Sequence, residues 1–404
     1  MWFKRDNLID FVFLGFIVTV PLVSIEFNVR ILILCLFLSF FSKRFSFSYT
    51  KFFKDGWPIL FYVSTLIFGI CYSTETSLGL SVLETNFSFI ALVLIFCRYN
   101  NISEQKFDII FCFFVLGVFL ACIICLVYAW FNYKASNDVG SFFFYRFTGV
   151  VGSHPTYLAY YIIFSITFLL FSFNKRTFLF RPFGFFAKST LIFFLFAILI
   201  LTGGRTAFVS LLLVCSFFLL RAILDSNILK RSHMVLLSSL MIVGMFLISS
   251  LTPVTKQDVV SNDASMERFQ LWKSALGANP DPLFGVGTGD YKIILNKYYV
   301  DHGLTDYANE NLNSHNQFLQ IYLSNGVLGV IAVLFLIGRP IYLAIKNDHV
   351  FGVLVFFPFL IYGVTEVFLG RYQGVVFFAL LHQIFVSYYL SQKPNFAINR
   401  LSQQ

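Results

Sequence analysis

The sequence predicts an all-α fold: a polytopic membrane helical bundle of about 12 transmembrane helices, with a long, partly helical outer loop between helices 9 and 10. Three observations carry this. Of the 404 residues, 58% are hydrophobic and only 12% are charged, and a mean hydropathy of +0.79 is far above that of water-soluble domains, which excludes a soluble enzyme. Apolar runs of roughly helix-spanning length recur along most of the chain. A single polar connection of about 66 residues, 252–317, interrupts them late. A bundle of this size forms one integral body, read as 1–251 (helices 1 to 9), 252–317 (the loop) and 318–404 (helices 10 to 12 and a tail).

In order, the apolar runs fall at residues 8–23, 27–41, 57–71, 80–97, 107–131, 157–173, 185–202, 206–220, 235–251, 318–337, 350–367 and 372–390. The second and the seventh are short for a full crossing, which takes roughly 20 residues. Twelve spans put both termini on one side. With the N-terminus inside, 19 of the 29 Lys and Arg and seven of the 20 acids lie inside, a net +12 there against −3 outside. Basic connections stay cytoplasmic, so both termini are expected in the cytoplasm, and the net charge of +9 reflects membrane topology rather than nucleic-acid binding.

No small-residue cleavage site follows the first apolar run, so that run is expected to remain as a span. No internal repeat and no low-complexity linker is visible. All seven cysteines lie in apolar runs. Cys122 and Cys125 have redox-like spacing, but mid-span a thiolate has no cation to stabilise it, so packing is the expected role. The abundant phenylalanine is read as lipid-facing bulk, a surface that would also suit a lipid substrate.

Long ordered loops tend to carry function. This one opens with a polar stretch, 252–262, then reads as an amphipathic helix over 264–276. Met266, Phe269, Trp272, Ala275 and Leu276 share its apolar face, expected to lie on the membrane or on the bundle. The turn Asn279-Pro280-Asp281-Pro282 ends it. Gly285-Val286-Gly287-Thr288-Gly289-Asp290 lacks the spacing and strand context of a nucleotide loop, so it is expected to be a flexible turn.

Candidate chemistry lies at the outer rim. Arg205 follows Thr202-Gly203-Gly204 and opens the eighth span. Close backbone approach, free N–H groups and charge make an anion site there, while a cation snorkelling to the interface is the alternative. Arg268 shares a helix face with Trp272; its fork suits phosphate oxygens, or it pairs with Glu267 or Asp263. His315, in Asn313-Ser314-His315-Asn316-Gln317, directly precedes the tenth span. A capping box of Ser314 and Gln317 would put His315 at the first helical position, where the helix dipole favours a neutral imidazole able to act as a general base. An interfacial polar residue is the plainer reading.

His154, in Gly152-Ser153-His154-Pro155-Thr156, is accounted for by the turn that starts the sixth span. Arg146 and Arg371 are further outer cations, the latter expected to pair with Glu366. The outer acids form no metal-ligating pattern, so no metal is expected.

Three segments together resemble the O-antigen ligase and O-antigen polymerase superfamily of bacterial membrane glycosyltransferases. They are Gly203-Gly204-Arg205-Thr206-Ala207; Arg268-Phe269-Gln270-Leu271-Trp272 running into Pro282-Leu283-Phe284-Gly285-Val286-Gly287; and His315-Asn316-Gln317-Phe318-Leu319-Gln320 through Asn325-Gly326. With their order and the late outer loop, the resemblance spans residues 190–370.

It implies transfer of a glycan from undecaprenyl diphosphate to a sugar hydroxyl, of lipid A-core in a ligase, at the periplasmic face of the bacterial inner membrane. No cofactor, metal or nucleotide is implied. On the same resemblance His315 deprotonates the acceptor, Arg205 and Arg268 hold the diphosphate, and the reaction inverts the anomeric centre. Arg146, His154, Asn316 and Arg371 are secondary candidates. A repeat-unit polymerase, whose acceptor is another carrier-linked unit, shares these features; a protein acceptor is also compatible. A glycolipid transporter or flippase fits less well, because the long loop follows span nine instead of splitting the chain six and six, and the ionisable residues sit at the rim rather than the midplane.

Overall fold

In the computed structural model, residues 7–41, 47–97, 102–172, 184–224, 238–242, 244 and 262–392 are described, and among them the chain is all helical, with no strand. The helices are α1 (Asn7–Thr19), α2 (Ile25–Phe41), α3 (Tyr49–Cys71), α4 (Thr76–Thr85), α5 (Phe87–Phe96), α6 (Glu104–Ser136), α7 (Phe144–Thr148), α8 (Pro155–Phe171), α9 (Gly184–Thr202) and α10 (Arg205–Leu224). Beyond the ninth expected span come α11 (Asn262–Gly277), α12 (Tyr291–Asp301), α13 (Thr305–Asn309), α14 (Gln317–Lys346), α15 (Val350–Thr365) and α16 (Tyr372–Ser391). Of the ninth expected span (235–251) only 238–242 and 244 are described, and the polar stretch after it lies almost wholly outside the described residues.

Helix ends follow local chemistry. Ser48 and Ser103 cap α3 and α6 by accepting from the backbone N–H groups of Lys51 and Lys106, and Asn137 closes α6 in the left-handed conformation. By length and composition α6, α14 and α16 can each cross a membrane. Two bent pairs, α4 with α5 (41°) and α7 with α8 (77°), bring the number to five among the described residues. Shorter apolar helices lie at Ile9–Thr19, Phe186–Thr202, Thr206–Leu220 and Val350–Thr365. These observations show a helical membrane protein; a count of 12 crossings goes beyond them.

The bundle has α8 and α16 at its centre. Nearly every side chain of both is buried, and α8 packs on α6, α9, α10 and α15, while α16 packs on α5, α14 and α3. Their phenylalanines interlock edge to face: Phe111 meets Phe164 at 5.0 Å, Phe114 meets Phe164 at 5.3 Å, and Phe356 meets Phe385 at 5.2 Å. Part of the phenylalanine content is therefore core, while residues such as Phe37, Phe53 and Phe131 remain exposed on the outside.

α14 is broken at Gly326, whose φ of 62° and ψ of −159° only glycine adopts readily. The loop closes onto that break. Val327 N–H donates to Pro282, while Val286 and Gly287 N–H groups donate to the carbonyls of Leu323 and Ser324. A Cβ on Gly326 would lie 2.2 Å from the Leu283 carbonyl oxygen. The same loop is tied to α3 and to the start of α4. Thr288 Oγ1 donates to Leu66 O, and Asp290 accepts from the N–H groups of Thr74 and Glu75 at 2.7 and 2.8 Å. The segment expected to be a flexible turn is thus pinned on both sides; its glycines serve close backbone packing.

The loop helix α11 lies where expected, but with a different buried face. Leu271, Ser274, Ala275 and Ala278 are buried, whereas Met266, Phe269 and Leu276 are exposed. Of the apolar stripe, Ala275 packs on the bundle with Leu271 and Ser274, while Met266, Phe269 and Leu276 do not.

Candidate active site

Four helix starts gather at one end of the bundle. Helices α8, α10, α14 and α16 begin at Pro155, Arg205, Gln317 and Tyr372, and His154, Gly204, His315 and Arg371, at or just before those starts, line two adjoining cavities. Helix starts carry unsatisfied N–H groups and the positive end of the dipole, so this end of the bundle favours anions. Cavity A, about 440 Å³, lies towards α12, α15 and α16. Cavity B, about 510 Å³, lies towards α10 and α11. Tyr145, His154, Thr156, His315, Tyr362 and Glu366 line both.

His315 is in the left-handed region at φ 43°, held by its backbone N–H donating to Asn313 Oδ1 at 2.8 Å. It does not occupy the first helical position. Asn316 is the cap of α14, its Oδ1 accepting from the N–H groups of Phe318 and Leu319 at 2.9 and 3.0 Å. The expected capping box is absent, because Ser314 Oγ donates to the Asn316 carbonyl and Gln317 Oε1 accepts from Leu369 N–H. Instead of continuing the helix, the imidazole projects from a strained turn with its side chain about 35% exposed, and its Nδ1 lies 3.4 Å from Glu366 Oε2. A carboxylate at Nδ1 leaves Nε2 as the free basic nitrogen.

Glu366 is the partner that sequence reasoning missed. The expected Glu366–Arg371 pair is not made. Thr365 ends α15, and the extended backbone at Glu366 turns its carboxylate to His315 instead. Arg371 directly precedes α16, with no side-chain bond to the helix start, and lines cavity A only.

His154 caps α8 as expected, Nδ1 accepting from Thr156 N–H at 3.3 Å. With Nδ1 accepting, the proton is on Nε2, which bonds the Tyr145 hydroxyl at 2.5 Å. Burial, then Arg371, push its pKa down to about 4, with Glu366 opposing and His315 adding to the shift. His154 is therefore a neutral wall of the site at neutral pH.

The arginines separate. Arg268, half-buried on α11, lines cavity B beside Gly203, Gly204 and Thr206 at the start of α10. Among the described residues it has no ion pair with Glu267. Arg205 opens α10 as expected, although its side chain lies outside the described residues. Gly203, at φ 66°, packs so tightly on the Phe144 ring that a Cβ would lie 2.1 Å from it. Arg146 is not in the site: it is exposed and bonded to Asp138, whose carboxyl is held below its usual range by the Gly140 N–H and by Arg146 itself. Asn316 likewise lines neither cavity. No group of three or more His, Cys, Asp or Glu among the described residues is placed to hold a metal.

These features define a helical membrane protein with a histidine–carboxylate pair between two cavities, one edged by Arg371 and Lys292 and the other by Arg268 and a glycine-led helix start. Residues 190–334 match the family model described as O-antigen ligase, and that stretch is similar to the O-antigen ligase and polymerase superfamily. The stretch contains Arg205, Arg268 and His315, while His154, Tyr362, Glu366 and Arg371 lie beyond it. A Haemophilus influenzae protein described only as uncharacterized is 25% identical over 222 residues, covering 47% of this chain and 55% of the relative's own length.

Proposed function

We propose that the chain is an O-antigen ligase-like glycosyltransferase, moving a glycan from undecaprenyl diphosphate to a sugar hydroxyl of lipid A-core at the periplasmic face of the inner membrane. The observation that carries this reading is the His315–Glu366 pair at the shared wall of two cavities, one of which is built for an anion. The family match supports it. A bundle with both termini in the cytoplasm would place this end outside, which the distribution of basic residues supports.

Each part has one role. The diphosphate lies in cavity B against Arg268 and the start of α10, where Arg205 adds a second cation. The acceptor hydroxyl enters from cavity A and gives its proton to His315 Nε2. Its oxygen forms the new bond to the anomeric carbon as the bond from that carbon to the diphosphate oxygen breaks. The electron pair leaves with the diphosphate, and attack from the opposite face inverts the centre. Glu366 orients the ring and stabilises the imidazolium that forms. The cations stabilise the developing negative charge on the leaving group.

Deleting the gene in its host and examining surface lipopolysaccharide tests this, with complementation by wild type, His315→Ala, Arg205→Ala and Arg268→Ala. Loss of all O-chain bands above lipid A-core, restored by wild type alone, is expected of a ligase. Core bearing a single repeat identifies a polymerase instead. Normal lipopolysaccharide from the His315→Ala strain overturns the mechanism.

A further inference from the structure

Beneath His315, cavity A is lined by two buried polar groups that the bundle leaves without a partner. Gln320, on the first turn of α14, is 6% exposed; its Oε1 lies 3.3 Å from Ser314 Oγ, while Nε2 bonds to nothing. Tyr362, on the last turn of α15, is 3% exposed, and its hydroxyl also lacks a partner. Ser314 has one hydroxyl proton, which the Asn316 carbonyl takes at 2.9 Å. Whichever way the Gln320 amide is turned, Ser314 engages one end and the other end is spare. Buried polar atoms of this kind cost stability unless something bonds them, and here both line cavity A, Gln320 within it alone and Tyr362 at the wall it shares with cavity B.

Besides the charged Lys292, Glu310, Glu366 and Arg371, the remainder of cavity A carries amides and aromatic faces that suit a hydroxyl-rich ligand. Asn296 and Asn311 line its mouth, with Asn296 Nδ2 donating to Asn311 Oδ1 at 2.6 Å. This leaves one amide oxygen and one amide nitrogen for a ligand. Amides offer a donor and an acceptor side by side, as a sugar hydroxyl does, whereas a phosphate needs donors only. Aromatic faces, among them Tyr157, Tyr160 and Phe377, line the deeper wall. Cavity B contrasts with this: Arg268 and the α10 start belong to it alone, and Gln320 does not reach it.

We propose that Gln320 and Tyr362 bind the acceptor sugar, their spare polar atoms holding hydroxyl groups of that sugar so that one neighbouring hydroxyl faces His315. This rests on the transfer reading above and deepens it. Cavity A is the acceptor side, and its specificity is for a hydroxyl-rich ring recognised by the side-chain amide and the phenol. Asn296 and Asn311 contact the more distant part of the acceptor.

The test uses the full chain in lipid nanodiscs. Lipid-linked glycan that accumulates in the deletion host serves as donor, and that host's lipid A-core and the lipid-linked glycan itself serve as alternative acceptors. Initial rates at varied acceptor are measured for wild type, Gln320→Leu and Tyr362→Phe, together with Kd for undecaprenyl diphosphate. Each variant is expected to raise the acceptor KM about three- to tenfold, the effect of one hydrogen bond between uncharged groups, with Kd for undecaprenyl diphosphate unchanged.

Tyr362→Phe removes only an oxygen, so it keeps the test valid if Gln320→Leu misfolds. An unchanged acceptor KM overturns the inference, as does weakened undecaprenyl diphosphate binding in both variants. A wild-type chain that transfers to neither acceptor fails at the transfer reading itself, and the acceptor assignment falls with it.

Discussion

His315 and its neighbours show how far single residues can be read from their own context. The sequence marked His315 because a histidine before an apolar span is chemically conspicuous, and the structure places it at the meeting point of two cavities. Its carboxylate partner is 51 residues away, across a helix end whose turn no local pattern specifies, so Glu366 was assigned to the adjacent Arg371. Gln320 and Tyr362 were hidden for a related reason: a glutamine or tyrosine in a span is ordinary until its missing partner is seen. For the pair itself, His315→Ala is expected to lower kcat by about 10²–10⁴, the usual contribution of a general base. Glu366→Gln should lower kcat by less than that while leaving undecaprenyl diphosphate affinity unchanged. Equal loss of affinity in Glu366→Gln would show that the carboxylate shapes the binding site instead. Arg146→Ala, which removes a cation bonded at the surface to Asp138, should leave transfer at the wild-type rate. His154 makes a prediction about pH. Its folded-state pKa is lowered from 6.5 to about 4, so the unfolded chain binds the extra proton first. The stability this site contributes is complete above pH 6.5 and falls as pH drops towards 4. His154→Asn, which keeps a capping side chain, should lose less melting temperature than wild type between pH 6.5 and 4; parallel losses in the two proteins would contradict the assignment.

Elements were the most legible level, and their irregularities the least. Apolar runs located most helices, including α8 and α14 close to their expected starts. The bend between α4 and α5 and the break in α14 left no such trace, because tertiary contacts decide them. Gly326 had been noted only as part of a motif; its role appears once residues 282–287 are seen bonded to the broken turn. The face of α11 that packs on the bundle is set by Leu271, Ser274 and Ala275, of which only Ala275 belongs to the apolar stripe read from the sequence. Gly326→Ala is expected to be severely destabilising. The backbone conformation alone costs a non-glycine residue roughly 1–3 kcal/mol, and the added Cβ clashes with the Leu283 carbonyl. Protease protection across residues 279–290 should fall in that variant before the rest of the bundle opens. An unchanged cleavage pattern would show that the loop is held by other contacts.

At the scale of the whole molecule, the bundle brings together helix starts that the sequence presents separately. α8 and α16 are central because nearly all their side chains are buried, and their starts are therefore fixed in the middle of one end rather than at its margin. α10 and α14 bring theirs alongside, with cavities A and B on either side of His315 and Glu366. Composition foretold a membrane bundle but could not foretell this convergence, which depends on which helices become neighbours. The shared wall also sets an order of events in time. On the proposed transfer, neither ligand would have to vacate its chamber before the other arrives, and the base would lie within reach of both, so bond making and bond breaking would belong to a single encounter of three bodies. Double-reciprocal plots at several fixed acceptor concentrations should therefore intersect, and labelled undecaprenyl diphosphate should not exchange into the donor until acceptor is present. Parallel lines with acceptor-independent exchange would mean that the chain carries the glycan on itself between two visits, for which this arrangement of chambers makes no provision.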